Sequence, residues 1–333
     1  MSSNESLHKD QNVDCCHDDT TMFENIKKAV YNGLTKKNRI FHPALTYDKD
    51  GGILYENLCF QQEYYLFRAE KKLLLKNVES IMKMANPSMV VDLGCAGLIK
   101  TQIFINYTAS RLEDTLFILC DFDGDSIQRG MQRISPLYHD IINFQEEIST
   151  FYECINKVQH LKIPKLFLFL GSTIGNFTGK ERADFIKMIS ENMSEFDHIL
   201  IGVDLVKKEE YMESAYKDKG GLIDRGVFQI LRNMNKYYEA DFMEHNFFHK
   251  VKYEHEIESV VSYLVSKVRH KVTIKSLDME INIGEGEEIS AEIHKKFEIE
   301  KVTDEFKLHK LFPTEISVDK YDRYALILFS KLI

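Results

Sequence analysis

Lys165–Asn176 reads KLFLFLGSTIGN, and this stretch decides the fold. Leu166 to Leu170 are five apolar residues in a row, without the in-and-out alternation of a half-exposed strand. Such a run fits a parallel strand covered by helices on both faces. It passes straight into Gly171-Ser172-Thr173-Ile174-Gly175-Asn176. In an open α/β sheet that turn lies at the carboxyl end of a central strand, where ligands bind. The glycines let a ligand approach the backbone, and Ser172, Thr173 and Asn176 offer polar atoms to orient it. A plain strand-to-helix connection would use the same residues, so the neighbouring segments have to decide.

On either side, strands alternate with helices. MVVDLGCAG from Met89 is a strand entering a glycine turn, followed by a helix through Tyr107. LFILCDFDGDS is a second strand ending in acids, a third is expected between Asp140 and Phe151, and HILIGVDLV is the fifth. This alternation implies a doubly wound α/β sheet. Upstream, residues 22–36 and 53–60 read as helices, residues 47–52 as a turn, and a helix opens near Glu63 and runs to about Met84. After the fifth strand the pattern changes. Residues 208–238 read as helical with a break at Lys219-Gly220-Gly221, residues 251–289 as antiparallel strands, then come a last helix and a terminal strand, RYALILFSKLI.

With 333 residues, 44% of them hydrophobic, the chain has material for one large or two ordinary domains. Its net charge of −9 argues against general nucleic-acid binding. No apolar run approaches the roughly 20 residues that span a bilayer, and a monomer is expected. Residues 1–20 read as a disordered leader without the apolar core of a signal peptide. The six cysteines are not framed as a disulfide scaffold, so a reducing cytoplasm is expected. Cys15, Cys16 and His17 lie in the leader with no framework to fix a geometry, and no metal site is expected.

VDLGCAG after one strand and CDFD after the next form a nucleotide-cofactor pattern. The turn lets the backbone approach the ligand, and an acid, Asp121 or Asp123, can accept hydrogen bonds from ribose hydroxyls. The dinucleotide pattern G-x-G-x-x-G is absent, since the turn reads Gly94-Cys95-Ala96-Gly97. This short turn suits S-adenosylmethionine better than a pyrophosphate-bearing dinucleotide.

EYYLFRAE, GSTIGN, GVDLVK, AYKDKGG and EISAEIHKKF occur in one order along the chain. Together they resemble the histidine-specific methyltransferase family of ergothioneine biosynthesis, over about residues 22–333. The resemblance implies a Rossmann-like class I methyltransferase sheet with a second, α+β substrate-binding domain. Residues 69–206 with 297–333 would bind S-adenosylmethionine, and residues 21–68 with 207–296 the substrate. It further implies methylation of the α-amino group of a free amino acid, L-histidine above all, up to the trimethylated product. The cofactor positions would fall on Gly94, Lys100 and Asp121, with Thr150, Phe151 and Ser172 nearby. The amino-acid clamp would be Tyr64, Asn176 and Tyr216 over a floor of Gly171 and Thr173, with Tyr47 and Tyr55 as further aromatic positions. Tyr64 would be the catalytic residue, accepting a hydrogen bond from the amine. Glu292, His294 and Ser262 would line the side-chain pocket.

The chain departs from the family in three places. Ala96 stands for a glycine of the cofactor turn. Thr150 and Phe151 stand nearest the position of an acid that would hold the adenine amino group. In the pocket Glu292 is kept, but His294 stands for a serine and Ser262 for a methionine. The clamp is thus retained while the groups that read the side chain differ. That leaves open a same-family methyltransferase for another small amine or aromatic amino acid, or a degenerate binding subunit. Cofactor binding separates the last from the enzymes, and a substrate panel separates the first two.

Overall fold

The computed structural model describes residues 19–46, 48–111, 114–321 and 323–331. Its elements follow the chain as α1 (Asp19–Thr35), α2 (Lys49–Leu58), α3 (Tyr65–Ala85), β1 (Met89–Leu93), α4 (Thr101–Arg111), β2 (Leu116–Asp121), α5 (Gly124–Tyr138) and β3 (Asn143–Ile148). Then come α6 (Phe151–Val158), β4 (Lys165–Phe169), α7 (Gly179–Asn192), β5 (His198–Asp204), α8 (Glu209–Ser214) and α9 (Leu222–Tyr238). Strands β6 (Phe247–Glu254), β7 (Ser259–Ser266), β8 (His270–Ile274), β9 (Met279–Ile283) and β10 (Glu288–Lys295) precede α10 (Ile299–Lys307), β11 (Leu311–Val318) and β12 (Tyr324–Lys331).

The main sheet has the order β11-β12-β5-β4-β1-β2-β3. Strands β1 to β5 are parallel, and β12 runs antiparallel to β5 and β11. The unbroken apolar run of β4 is explained by burial on both faces. Leu166 and Leu168 pack under α3 and α4, while Phe167 and Phe169 pack against α6, α7 and α10. The chain order reverses between β1 and β4, which pair directly from Met89 to Asp92. The turns after these two strands therefore open beside each other, as ligand sites of such sheets do.

A second layer is built from a three-stranded sheet, β10-β7-β6, and the β8-β9 hairpin. The N-terminal segment belongs to this layer. Phe41 N donates to Ser290 O at 2.8 Å, Ser290 N to Arg39 O at 3.0 Å, and Asn233 Nδ2 on α9 to Leu45 O at 2.8 Å.

Three local expectations need correction. Residues 47–52 are not a turn throughout, because α2 begins at Lys49. Asp48 caps it, accepting from Gly51 N at 2.9 Å. Gly51 is there for space: a Cβ would stand 1.9 Å from Thr46 O. Second, residues 251–289 are broken by tight connections at Glu258 and Asp278, both in left-handed backbone. Third, β11 was not foreseen. Its faces are only partly buried, and Pro313 sits at a register shift against β12, so its apolar pattern is weak. The leader, with Cys15, Cys16 and His17, lies outside the described residues apart from the first turn of α1, and Tyr47 lies outside them too.

Candidate active site

The expected cofactor side is the turn after β1. Gly94 N and Cys95 N donate to Cys120 O at 2.9 and 3.0 Å, tying that turn to the end of β2. Asp121 closes it: Oδ2 accepts from Ala96 N at 2.8 Å and Oδ1 from Asp123 N at 3.0 Å. Burial pushes the Asp121 carboxyl up, against the pull of those backbone donors. Ala96 holds a left-handed conformation, φ +44°, where the expected glycine would be unstrained.

Phe151 faces this turn, its ring 3.5 Å from where a Gly94 Cβ would be. Thr150 is committed to starting α6. Its hydroxyl accepts from Glu153 N at 3.2 Å and its backbone N donates to Glu153 Oε2 at 2.8 Å, a capping box.

Lys100 reaches across to the turn after β4. Its Nζ bonds Glu70 Oε2 at 2.9 Å, and a Cβ on Gly171 would stand 3.1 Å from that nitrogen. Glu70 is 1% exposed, and its other oxygen accepts from Gly171 N at 2.7 Å and Tyr324 Oη at 2.8 Å. One buried carboxylate thus joins α3, β12 and both turns. It lies inside the quoted EYYLFRAE, and an acid on the apolar face of a helix was the signal that could have singled it out. Thr173 Oγ1 and Tyr55 Oη flank the same Gly171 position at 3.5 and 3.7 Å. The hydroxyls of Ser172 and Thr173 pin the turn, accepting from Asp204 N at 3.0 Å and donating to Leu170 O at 2.8 Å.

The other half is reached through Gly175, whose close contact with β10 lays Asn176 against His294. Asn176 Oδ1 is 3.2 Å from His294 Nδ1. The imidazole stacks on Tyr216 with centroids 4.3 Å apart. Its Nε2 is 3.4 Å from Glu292 Oε2, without hydrogen-bonding geometry. Glu292 Oε1 accepts from Thr46 Oγ1 at 3.1 Å. Burial works to raise the Glu292 carboxyl, but His294 and Thr46 hold it below its ordinary range. Ser262 faces Glu292 across the β7–β10 pairing, and its buried Oγ has no partner among the described residues.

Tyr64 and Tyr65 diverge at the start of α3. Tyr64 precedes its first residue at 9% exposure. Tyr65 turns into a buried cluster, donating to Asp204 at 2.9 Å. Lys207 and Lys296 also bond Asp204, at 2.6 and 2.8 Å, and Lys296 Nζ donates to Tyr216 Oη at 2.8 Å. Sequence reasoning assigned none of Tyr65, Asp204, Lys207 or Lys296, although all lie in the quoted motifs.

The predicted residues therefore fall into three groups: Gly94, Asp121 and Phe151; Lys100, Gly171, Thr173 and Tyr55; and Asn176, Tyr216, Glu292 and His294. A model of the histidine-specific, S-adenosylmethionine-dependent methyltransferase family matches residues 26–331. The chain belongs to that family. A histidine N-alpha-methyltransferase of Mycolicibacterium smegmatis is 30% identical over 284 residues, 85% of this chain and 87% of the relative. One of Mycobacterium tuberculosis is 29% identical, over 92% of this chain and 95% of its own length. A 4-dimethylallyltryptophan N-methyltransferase of Claviceps purpurea is 25% identical, over 59% of this chain and 60% of the relative.

As a member of this methyltransferase family the chain uses S-adenosylmethionine, and the residues present suit it. The bare face of Gly94 leaves room beside the Phe151 ring, and Asp121 and Lys100 carry the charges that ribose hydroxyls and an amino-acid carboxylate would meet. Among the described residues no helix is long and apolar enough to cross a membrane.

Proposed function

We propose that this chain methylates the α-amino group of a free amino acid, that L-histidine is that amino acid, and that the product carries up to three methyl groups. The observation that carries this reading is the surroundings of His294. A stacked phenol ring, an Asn amide and the Glu292 carboxylate enclose one imidazole. Of these, the Glu292 carboxylate is the group that would read a substrate imidazole, since Asn176 and Tyr216 are assigned to the substrate's carboxylate. Two of the relatives, each covering most of the chain, are named histidine N-alpha-methyltransferases, which supports the same substrate.

S-adenosylmethionine, when bound, supplies an electrophilic methyl group on a sulfonium sulfur. The protein's part is alignment for an in-line displacement. Asn176 and Tyr216 hold the α-carboxylate without adding charge, over the floor of Gly171 and Thr173. Tyr64 accepts a hydrogen bond from the amine and turns its lone pair toward the methyl carbon. The Tyr64 ring also favours a cationic product. Each transfer needs a neutral amine, so a proton leaves the ammonium before every step. Lys100, Asp121, Thr150, Phe151 and Ser172 position the cofactor. Residues 69–206 with 297–333 form the cofactor-binding part and residues 21–68 with 207–296 the substrate-binding part, working as a cytoplasmic monomer.

A second reading, another amino acid as substrate, is favoured by His294 itself, whose ring takes up room that a substrate side chain would use. A panel of free amino acids incubated with S-adenosylmethionine and read by mass spectrometry tests both. Methylated histidine as the main product supports the first reading. A different methylated amino acid, with histidine inert, replaces it with the second.

A further inference from the structure

Lys296 is 1% exposed, and its ammonium lies between the Asp204 carboxylate and the Tyr216 phenol, 2.8 Å from each. Backbone bonds fix it there: Lys296 N donates to Glu258 O at 2.8 Å and Phe297 N to Asp204 O at 2.9 Å. An ammonium has donors only, so Tyr216 Oη must be the acceptor and its own proton must point elsewhere. Burial pushes the Tyr216 hydroxyl up to about 12, so that proton stays on through the working pH range.

The cluster is also electrostatically lopsided. Two lysines, Lys207 and Lys296, share the single carboxylate of Asp204. Asp319 is held by Arg323 at 2.8 Å. A buried cation is costly unless paired, and here its open side is the Tyr216 phenol.

We propose that Lys296 is a positioning residue for the substrate's α-carboxylate, acting through Tyr216. By occupying the phenol oxygen, it aims the Tyr216 proton at the carboxylate and polarises that donor. The inference rests on Tyr216 being part of the amino-acid clamp, as proposed above. It makes the preference for a carboxylate-bearing substrate depend on a residue that the substrate does not touch.

The test is Lys296→Met in the full chain, with Lys296→Gln carrying the same criteria should the first variant not fold. The expected result is a KM for histidine raised at least tenfold, S-adenosylmethionine affinity within twofold of the parent, and a compressed preference for histidine over histamine, which lacks the carboxylate. Combined with Tyr216→Phe, the lysine change should add nothing further to KM, because both act on one donor. Tyr216→Phe raising KM while Lys296→Met leaves KM and the histamine ratio unchanged overturns the role of Lys296 alone. An unchanged KM in Tyr216→Phe removes the clamp reading and this proposal with it.

Discussion

Gly175 lies against the backbone of Lys295: a Cβ at position 175 would stand 2.9 Å from the Lys295 carbonyl oxygen and 3.4 Å from its amide nitrogen. This contact brings the turn after β4 onto β10 and places Asn176 beside His294. Gly175→Ala must separate the two backbones. Overpacking of this kind costs about 1–3 kcal/mol, visible as a lower denaturation midpoint. Displacing Asn176 should also raise KM for the amino acid by roughly ten- to a hundredfold, the worth of one hydrogen bond to a charged carboxylate, while cofactor affinity changes little. Calorimetric titration of each ligand separates the effects.

Asp121→Ala removes the carboxylate that closes the cofactor turn. Hydrogen bonds to a charged group are worth about 1.5–3 kcal/mol, so affinity for S-adenosylmethionine should fall roughly ten- to a hundredfold. Isothermal calorimetry on a variant with parent-like circular dichroism reads this directly, and an unchanged Kd would move the cofactor elsewhere.

Turnover should rise with pH through the titration of the substrate amine, since only the neutral form attacks. Tyr64→Phe removes the acceptor proposed to steer the lone pair. It should lower kcat more than it raises KM, with the pH profile keeping its direction. Stopped-time assays across the alkaline range give both numbers.

Glu292→Ala should cost histidine turnover about tenfold or more, the loss of a charge-assisted contact, while amino acids with apolar side chains lose little. His294→Ser should improve histidine relative to every other substrate by clearing the space against Tyr216. Stability checks the same pair independently. The Glu292 carboxyl is held below its unfolded value, so it contributes stability above the ordinary carboxylate pKa and loses it as pH falls through the folded one. In His294→Ser that hold is weakened. The stability gap between parent and variant should narrow as pH falls through the carboxylate range, as urea midpoints at several pH values will report.

The sheet was legible because strands buried on both faces announce themselves as apolar runs, as Leu166–Leu170 do. The weakly apolar β11 was not, because an edge strand with one partly wet face and Pro313 lacks that signature. The connection at Glu258 carried no glycine, proline or asparagine, so the left-handed turn had no mark in the sequence. In the site, turn residues and polar residues next to glycines could be found from the chain alone. Asp204 and Lys296 could not, since their meaning lies in a contact between segments more than 90 residues apart, whereas Glu70 carried a mark as an acid on an apolar helix face. Ala96 was read as a missing glycine, and the turn nevertheless keeps the glycine's backbone conformation.

Strand β12 is made last among the described strands, yet it sits inside the sheet, between β11 and β5. During synthesis the edge of β5 therefore stays open until Tyr324 and its successors leave the ribosome. Tyr324 then brings the hydroxyl that shares Glu70 with the Gly171 amide. The bonding beneath the Gly171 turn is thus completed by the arrival of a distant strand. A ribosome stalled before that point holds a chain with an unpaired strand edge, a target for aggregation and for chaperones.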